Sequence, residues 1–276
     1  MPNYDVLTQE ELKNIALHST NNVARLKATK KLTDQRILTS LILNHNAREV
    51  RVAAVQTLTD PQSLEFIALN ARCCSARKEA VRKLTSQSTL THIALNDNDI
   101  FVRGEATAKL ADQNTLRIIV LNDCSLWVRA KAIESITEQE MLKSIVLSCS
   151  DCETRRETVK RLVDQDTLRH IALNDNHWSV RIQATKRLDN QDILKSLSLT
   201  SPDYSVRSEA TKKLDDQDTL SHIALNDNCW VVRCEAVKRL VNQDTLSRIA
   251  ANDNVSEVRL AARKKLPFYN PLNHIF

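Results

Sequence analysis

Leucine recurs at a fixed interval along this chain: Leu12, Leu38, Leu64, Leu90, Leu116, Leu142, Leu168, Leu194, Leu220 and Leu246. Three positions on, every copy carries Ile or Leu (Ile15, Leu41, Ile67, Ile93 and their equivalents), and a small or apolar residue follows. Apolar positions at i, i+3 and i+4 form the buried stripe of a helix. The pattern predicts a helix A of about ten residues. Asp112, Asp164, Asn190, Asp216 and Asn242 precede it as N-caps. Asp166, Asp192, Asp218 and Asp244 fall in its first turn, where the helix dipole favours acids. Asn70, Asn96, Asn122, Asn174, Asn226 and Asn252 close it, and they are expected to take the left-handed cap conformation usually given to glycine. A second stripe follows after a short turn, as in residues 232–240: Val, then Ala four positions later, then Leu four beyond that. Ala28, Ala54, Ala80, Ala106, Ala132, Ala184, Ala210, Ala236 and Ala262 fill the middle column of this helix B, with Thr158 the exception. Small residues there let neighbouring helices approach closely.

Arg25, Arg51, Arg77, Arg103, Arg129, Arg155, Arg181, Arg207, Arg233 and Arg259 mark the period, 26 residues without a slip. A repeat of that size is the signature of stacked units that touch only their neighbours. Neither helix is long enough to stand alone, so stacking must supply the stability. Ten repeats occupy residues 8–267 of a single domain spanning 1–276, and residues 268–276 are expected to cap the last helix.

Asp97/Arg103, Asp123/Arg129, Asp175/Arg181, Asp227/Arg233 and Asp253/Arg259 place an Asp six residues before the Arg, usually with Val just ahead of the Arg. This resembles the inter-helix signature of HEAT-like repeats in the armadillo superfamily, and the short unit is also similar to the leucine-rich repeat variant. The resemblance implies an all-α fold, a right-handed α-solenoid of ten 26-residue two-helix repeats. It also implies a ladder of these Asp and Arg side chains between neighbouring units, and helix B on the concave side. Such proteins are binding scaffolds above all, with a minority of repair and lyase enzymes.

Composition narrows the rest. One glycine and 4% aromatics suit a helical array, and a single glycine excludes a P-loop or a Rossmann turn. The formal charge of +5 is a small surplus of 39 basic over 34 acidic groups. It permits nucleic-acid binding without requiring it. No stretch approaches the ~20 apolar residues that span a bilayer, and the first five residues do not read as a secretory signal. Seven cysteines without a disulfide framework suggest a reduced, cytoplasmic setting. No cofactor is expected.

Function belongs where the repeats differ. Phe101, Trp127, Trp178, Tyr204 and Trp230 all precede the repeated Arg by two or three residues and form a candidate ledge. A basic column closes helix B and includes Lys160, Lys186, Lys212 and Lys238. Aromatics beside cations suit a peptide anchor or base stacking. The same aromatics also suit plugs in the seam between helices. The cations suit a phosphate track, or simple helix-end chemistry supported by Glu79, Glu157, Glu209 and Glu235 four residues before a Lys or Arg. The aromatics place the site within residues 95–235. Cys149 and Cys152 form a CxxC with no second pair, so idle thiols rather than a metal site are expected. His92, His170 and His222 share an outward column too widely spaced for a shared metal. Asp99, Asp203 and Glu153 are the acids nearest the ledge, and no catalytic constellation stands out. A non-catalytic scaffold for a protein or peptide is the expected function, with a nucleic-acid binder, possibly of DNA-repair type, as the alternative.

Overall fold

In a computed structural model the described residues are 3–267, so the proposed capping tail at 268–276 lies outside them. They form twenty α-helices and no strand. Contacts divide the chain into two compact units, Met1–Glu138 and Gln139–Phe276, each holding five helical hairpins. The first unit runs α1 (Gln9–His18), α2 (Asn22–Lys31), α3 (Gln35–Asn44), α4 (Arg48–Thr57) and α5 (Pro61–Asn70). It continues with α6 (Cys74–Lys83), α7 (Gln87–Asn96), α8 (Ile100–Thr107), α9 (Gln113–Asn122) and α10 (Leu126–Ser135). The second runs α11 (Gln139–Ser148), α12 (Cys152–Val159), α13 (Gln165–Asn174), α14 (Trp178–Arg187) and α15 (Gln191–Thr200). It closes with α16 (Tyr204–Lys213), α17 (Gln217–Asn226), α18 (Trp230–Arg239), α19 (Gln243–Asn252) and α20 (Ser256–Arg263). Odd numbers are helices A and even numbers helices B.

The leucine and alanine columns are the core: Leu116, Leu168 and Leu220 on helix A, and Ala106, Ala184 and Ala236 on helix B, are fully buried. Within each unit the helices B crowd one another while the helices A stand further apart, because alanine holds the B–B seam narrow. Helix B is therefore the tighter, inner layer of each unit.

Four polar devices repeat along the stack. The N-caps fall as expected: Asp164 accepts from the Thr167 N–H at 2.9 Å and Asn242 from the Thr245 N–H at 2.8 Å. The asparagines at the end of helix A act differently from expectation. No described residue has positive φ, and the caps that follow are extended. Asn96 and Asn226 stay helical and donate through Nδ2 to the carbonyls of His92 and His222, at 2.8 and 2.9 Å. The side chain thus satisfies an orphan carbonyl without strained backbone.

The expected ladder is present, with each carboxylate serving the Arg of the hairpin before it. Arg207 donates Nε and Nη2 to Asp227 at 2.8 and 3.0 Å, and Nη1 to the Ser201 carbonyl at 2.9 Å. Arg77–Asp97, Arg103–Asp123, Arg155–Asp175 and Arg233–Asp253 repeat this two-point geometry. Asp97 and Asp227 also accept through their backbone carbonyls from Arg103 and Arg233, so each Asp is shared by two arginines. Arg181 finds Ser201 where its Asp belongs and bonds Asp203 instead, at 2.6 Å.

A glutamine ladder, unread in the sequence, ties the opposite ends. The first residue of helix A is Gln in nine of ten repeats, Pro61 being the exception. Gln191 Oε1 accepts from the Asp215 N–H at 3.0 Å, and its Nε2 donates to the Lys213 carbonyl at 3.2 Å. Gln87, Gln139, Gln165 and Gln217 make the same pair of bonds.

Candidate functional site

The five ledge aromatics all sit in the first turn of a helix B, and each is 41–58% exposed. Their position follows from the fold: the first turn precedes the Val–Ala–Leu stripe and points its side chains off the core. Phe101 and Trp127 occupy the first unit, and Trp178, Tyr204 and Trp230 the second.

In the first unit the aromatics are partners. The Phe101 and Trp127 rings meet edge to face, 5.5 Å between centroids, and the Lys78 ammonium lies 5.8 Å from the centre of the Phe101 ring. Trp127 lies against Gly104, the one glycine of the chain, where a Cβ would stand 2.0 Å from the indole. This glycine makes room for a ring rather than for a turn. Gly104→Ala is therefore expected to lever the Trp127 ring outward while leaving the helices in place. Loss of the Phe101–Trp127 cross-peaks in an NMR spectrum, with unchanged circular dichroism, would show it.

In the second unit the three rings recur at the first residue of α14, α16 and α18. Trp178 also stacks on His177 at 5.8 Å with 27° between planes. Phe101 and Trp127 pack on neighbouring helices B, and all five aromatics keep about half of their surface in solvent.

The basic column divides into two classes. Lys160, Lys212 and Lys238 pair with Glu157, Glu209 and Glu235 three residues back, at 2.7, 3.0 and 2.7 Å. The expected i,i+4 partner is instead drawn away by the preceding helix B. Lys213 Nζ reaches the carbonyls of Lys186 and Leu188, Arg239 Nε that of Leu214 at 2.8 Å, and Lys265 Nζ those of Lys238 and Leu240 at 2.7 and 2.6 Å. These cations cap the neighbouring helix end, whose last carbonyls have no intrahelical partner. Burial pushes the Lys83, Lys109 and Lys265 ammonium groups below their ordinary value. Lys186 alone among the four site lysines has Gln183 where the Glu belongs, and it makes no ion pair among the described residues.

Ledge and basic row are not neighbours. Trp178 begins α14 and Lys186 stands eight residues on, which is about 12 Å along the axis. The capping bonds show that successive helices B run parallel, so the aromatics gather at one edge of the layer and the lysines at the other. The acids nearest the ledge are already employed. Asp99 caps α8, Asp203 caps α16 and holds Arg181, and Glu153 pairs with Arg156. All seven cysteines are free thiols, and no group of metal-ligating side chains converges among the described residues. His92, His170 and His222 are exposed on helix A. No helix of the described residues is long and apolar enough to cross a membrane.

One feature of the surface escaped the sequence reading. A cleft of about 890 Å³ opens in the first unit along residues 42–101, mostly ahead of the predicted span, and Phe101 forms part of its wall.

These elements define an all-α repeat protein with two ranks of exposed aromatics on its inner layer. No protein-family model and no curated protein matches the chain. Among solved structures it is similar to the YibA protein of Escherichia coli, at 20% identity over 90% of this chain and 97% of that one, TM-score 0.38. It is also similar to a designed armadillo repeat protein, at 17% identity over 95% and 100% of the two chains, TM-score 0.16. A HEAT-like repeats protein from the archaeon Thermococcus onnurineus NA1 gives 16% identity over 94% and 95%, TM-score 0.21.

Proposed function

We propose that this chain is a non-catalytic scaffold that holds a protein or peptide on its helix-B layer, with the exposed aromatics as anchors. The observation that carries this reading is the exposure of Trp178, Tyr204 and Trp230 at one place on successive parallel helices. Large rings that stay half in water on a rigid frame offer apolar area at little entropic cost, which is what interface anchors require. Repetition at a fixed spacing suits an extended ligand that meets each ring in turn. The alternative, a polyanion tracked by the basic row, is weakened by the glutamates beside Lys160, Lys212 and Lys238 and by the cations spent on helix ends.

All three tryptophans of the chain belong to the proposed anchors, so selectively excited tryptophan emission reports on the ledge alone. Peptides selected from a displayed library against the full chain are expected to shift this emission and to protect it from acrylamide. Their affinity should change little between 50 and 200 mM salt, whereas six to ten phosphate contacts would lose about 10³–10⁵-fold. A selected pool that leaves the emission untouched, or an oligonucleotide bound with that steep salt dependence, would refute the reading.

A further inference from the structure

The cleft of the first unit lies where the arginine ladder lacks its carboxylate. Position 71, twenty residues beyond Arg51, is Ala in place of Asp. Arg51 therefore turns Nη1 to the carbonyls of His45 and Asn46, at 2.6 and 2.8 Å, and Nη2 to Cys73 Sγ at 3.5 Å. Its buried Nε has no partner. Arg48, Arg72 and Lys78 line the same cleft, and none of them meets a carboxylate among the described residues. The cleft's two acids are committed elsewhere: Glu79 to Arg82 at 2.7 Å, and Asp99 to the N–H groups that open α8. Four cations thus face one cavity against a single carboxylate not paired to a cation, that of Asp99, whose hydrogen bonds come from neutral N–H groups. A cavity of this size and charge fits a small anion-bearing guest.

Cys73 stands in this cleft as the N-cap of α6, half-buried, beside the exposed Cys74. Burial alone would push the Cys73 thiol up. The Ala76 N–H, the Arg51 guanidinium and the Ser75 N–H outweigh it and bring the thiol below its ordinary value. Thiolates favoured in this way are the reactive ones.

We propose that the cleft receives a small carboxylate-bearing disulfide and that Cys73 exchanges with it. The Cys73 thiolate attacks one sulfur of the guest. A bond forms between Cys73 and that sulfur, the guest's own S–S bond breaks, and the electron pair leaves with the second sulfur as a thiolate. The guest is the oxidant, and no other is consumed. Arg48, Arg72 and Lys78 hold its carboxylates, and Arg51 steadies the attacking sulfur. This modification lies outside the scaffold reading and survives or fails independently of it.

The test uses the full chain and three disulfides of one size class: dianionic dithiobis-nitrobenzoate, neutral dithiodipyridine and dicationic cystamine. Labelling of each cysteine is followed by peptide mass spectrometry. Cys73 is expected to react on the order of tenfold faster than Cys74 or Cys124 with the dianion, and the advantage should vanish with the dication. Its rate should hold as pH falls below the ordinary thiol value. Arg48→Gln/Arg72→Gln, both exposed positions, should abolish the charge preference, read as the ratio of the dianion's rate to the neutral reagent's at Cys73. Cys73 labelling no faster than Cys74, or a charge preference that survives the double substitution, overturns the proposal.

Discussion

Arg207→Ala will destabilise the second unit by about 3–5 kcal/mol, the loss expected when one partner of a buried, hydrogen-bonded ion pair is removed. Arg207 is buried, and it bonds Asp227 at two points, Asn228 at 2.7 Å and the carbonyl of Ser201. Without it, the Asp227 carboxylate keeps only the Cys229 N–H, at 2.8 Å, and is left charged in a dry seam. Because repeat arrays open locally, the effect should appear as faster hydrogen exchange in α15–α18, with the first unit unchanged. Double replacement of Arg207 and Asp227 by apolar residues should recover much of the loss, which uniform destabilisation would not predict. Acid acts on the same ladder. Burial alone would raise Asp203 and Asp253, but the bonds from Arg181 and Arg233 hold both below the ordinary carboxylate value. Their contribution is complete at neutral pH and is withdrawn as pH falls through that lowered value. The midpoint of denaturant unfolding, followed from neutral pH downward, should record it.

Trp178→Ala/Tyr204→Ala/Trp230→Ala will weaken a selected peptide by at least about 3 kcal/mol, on the order of a hundredfold, because central aromatic anchors each cost about 2 kcal/mol or more and do not add fully. The same change should cost the fold little. About half of each ring is already in water, and the buried stripe that follows in each helix B, such as Val232, Ala236 and Leu240, is untouched. That separation of binding from stability distinguishes an anchor from a seam plug. Plugs would lose stability with each truncation, and their removal would raise hydrogen exchange at the start of α14, α16 and α18.

The fold was legible because stacking imposes the same demand ten times. Leu220 and Ala236 are buried for the same reason as Leu116 and Ala132, so periodicity identified the two helices and their N-caps, and the resemblance to HEAT-like repeats implied the arginine ladder. What stayed hidden lies in relations between repeats. Gly104 makes sense only beneath Trp127, 23 residues on, and Lys213 only beside the carbonyl of Leu188, 25 residues back. The i,i+4 rule misassigned Glu209 because it considers one helix, whereas the competing acceptors sit at the end of the next. The glutamine column was visible in the sequence, but a polar residue in a first turn reads as solvated until its partner is known. The cleft at Cys73 was least legible of all, since it arises from an absence: Ala71 where an aspartate would have quenched Arg51. The separation of ledge from basic row follows from the length of one helix, which sequence spacing already contained.

The most direct test of the scaffold account is calorimetric titration of one selected peptide into the wild-type chain and into the Trp178→Ala/Tyr204→Ala/Trp230→Ala variant, each checked for unaltered unfolding. The account predicts a loss of about a hundredfold in affinity on an intact frame. Equal affinity for the two proteins would contradict it.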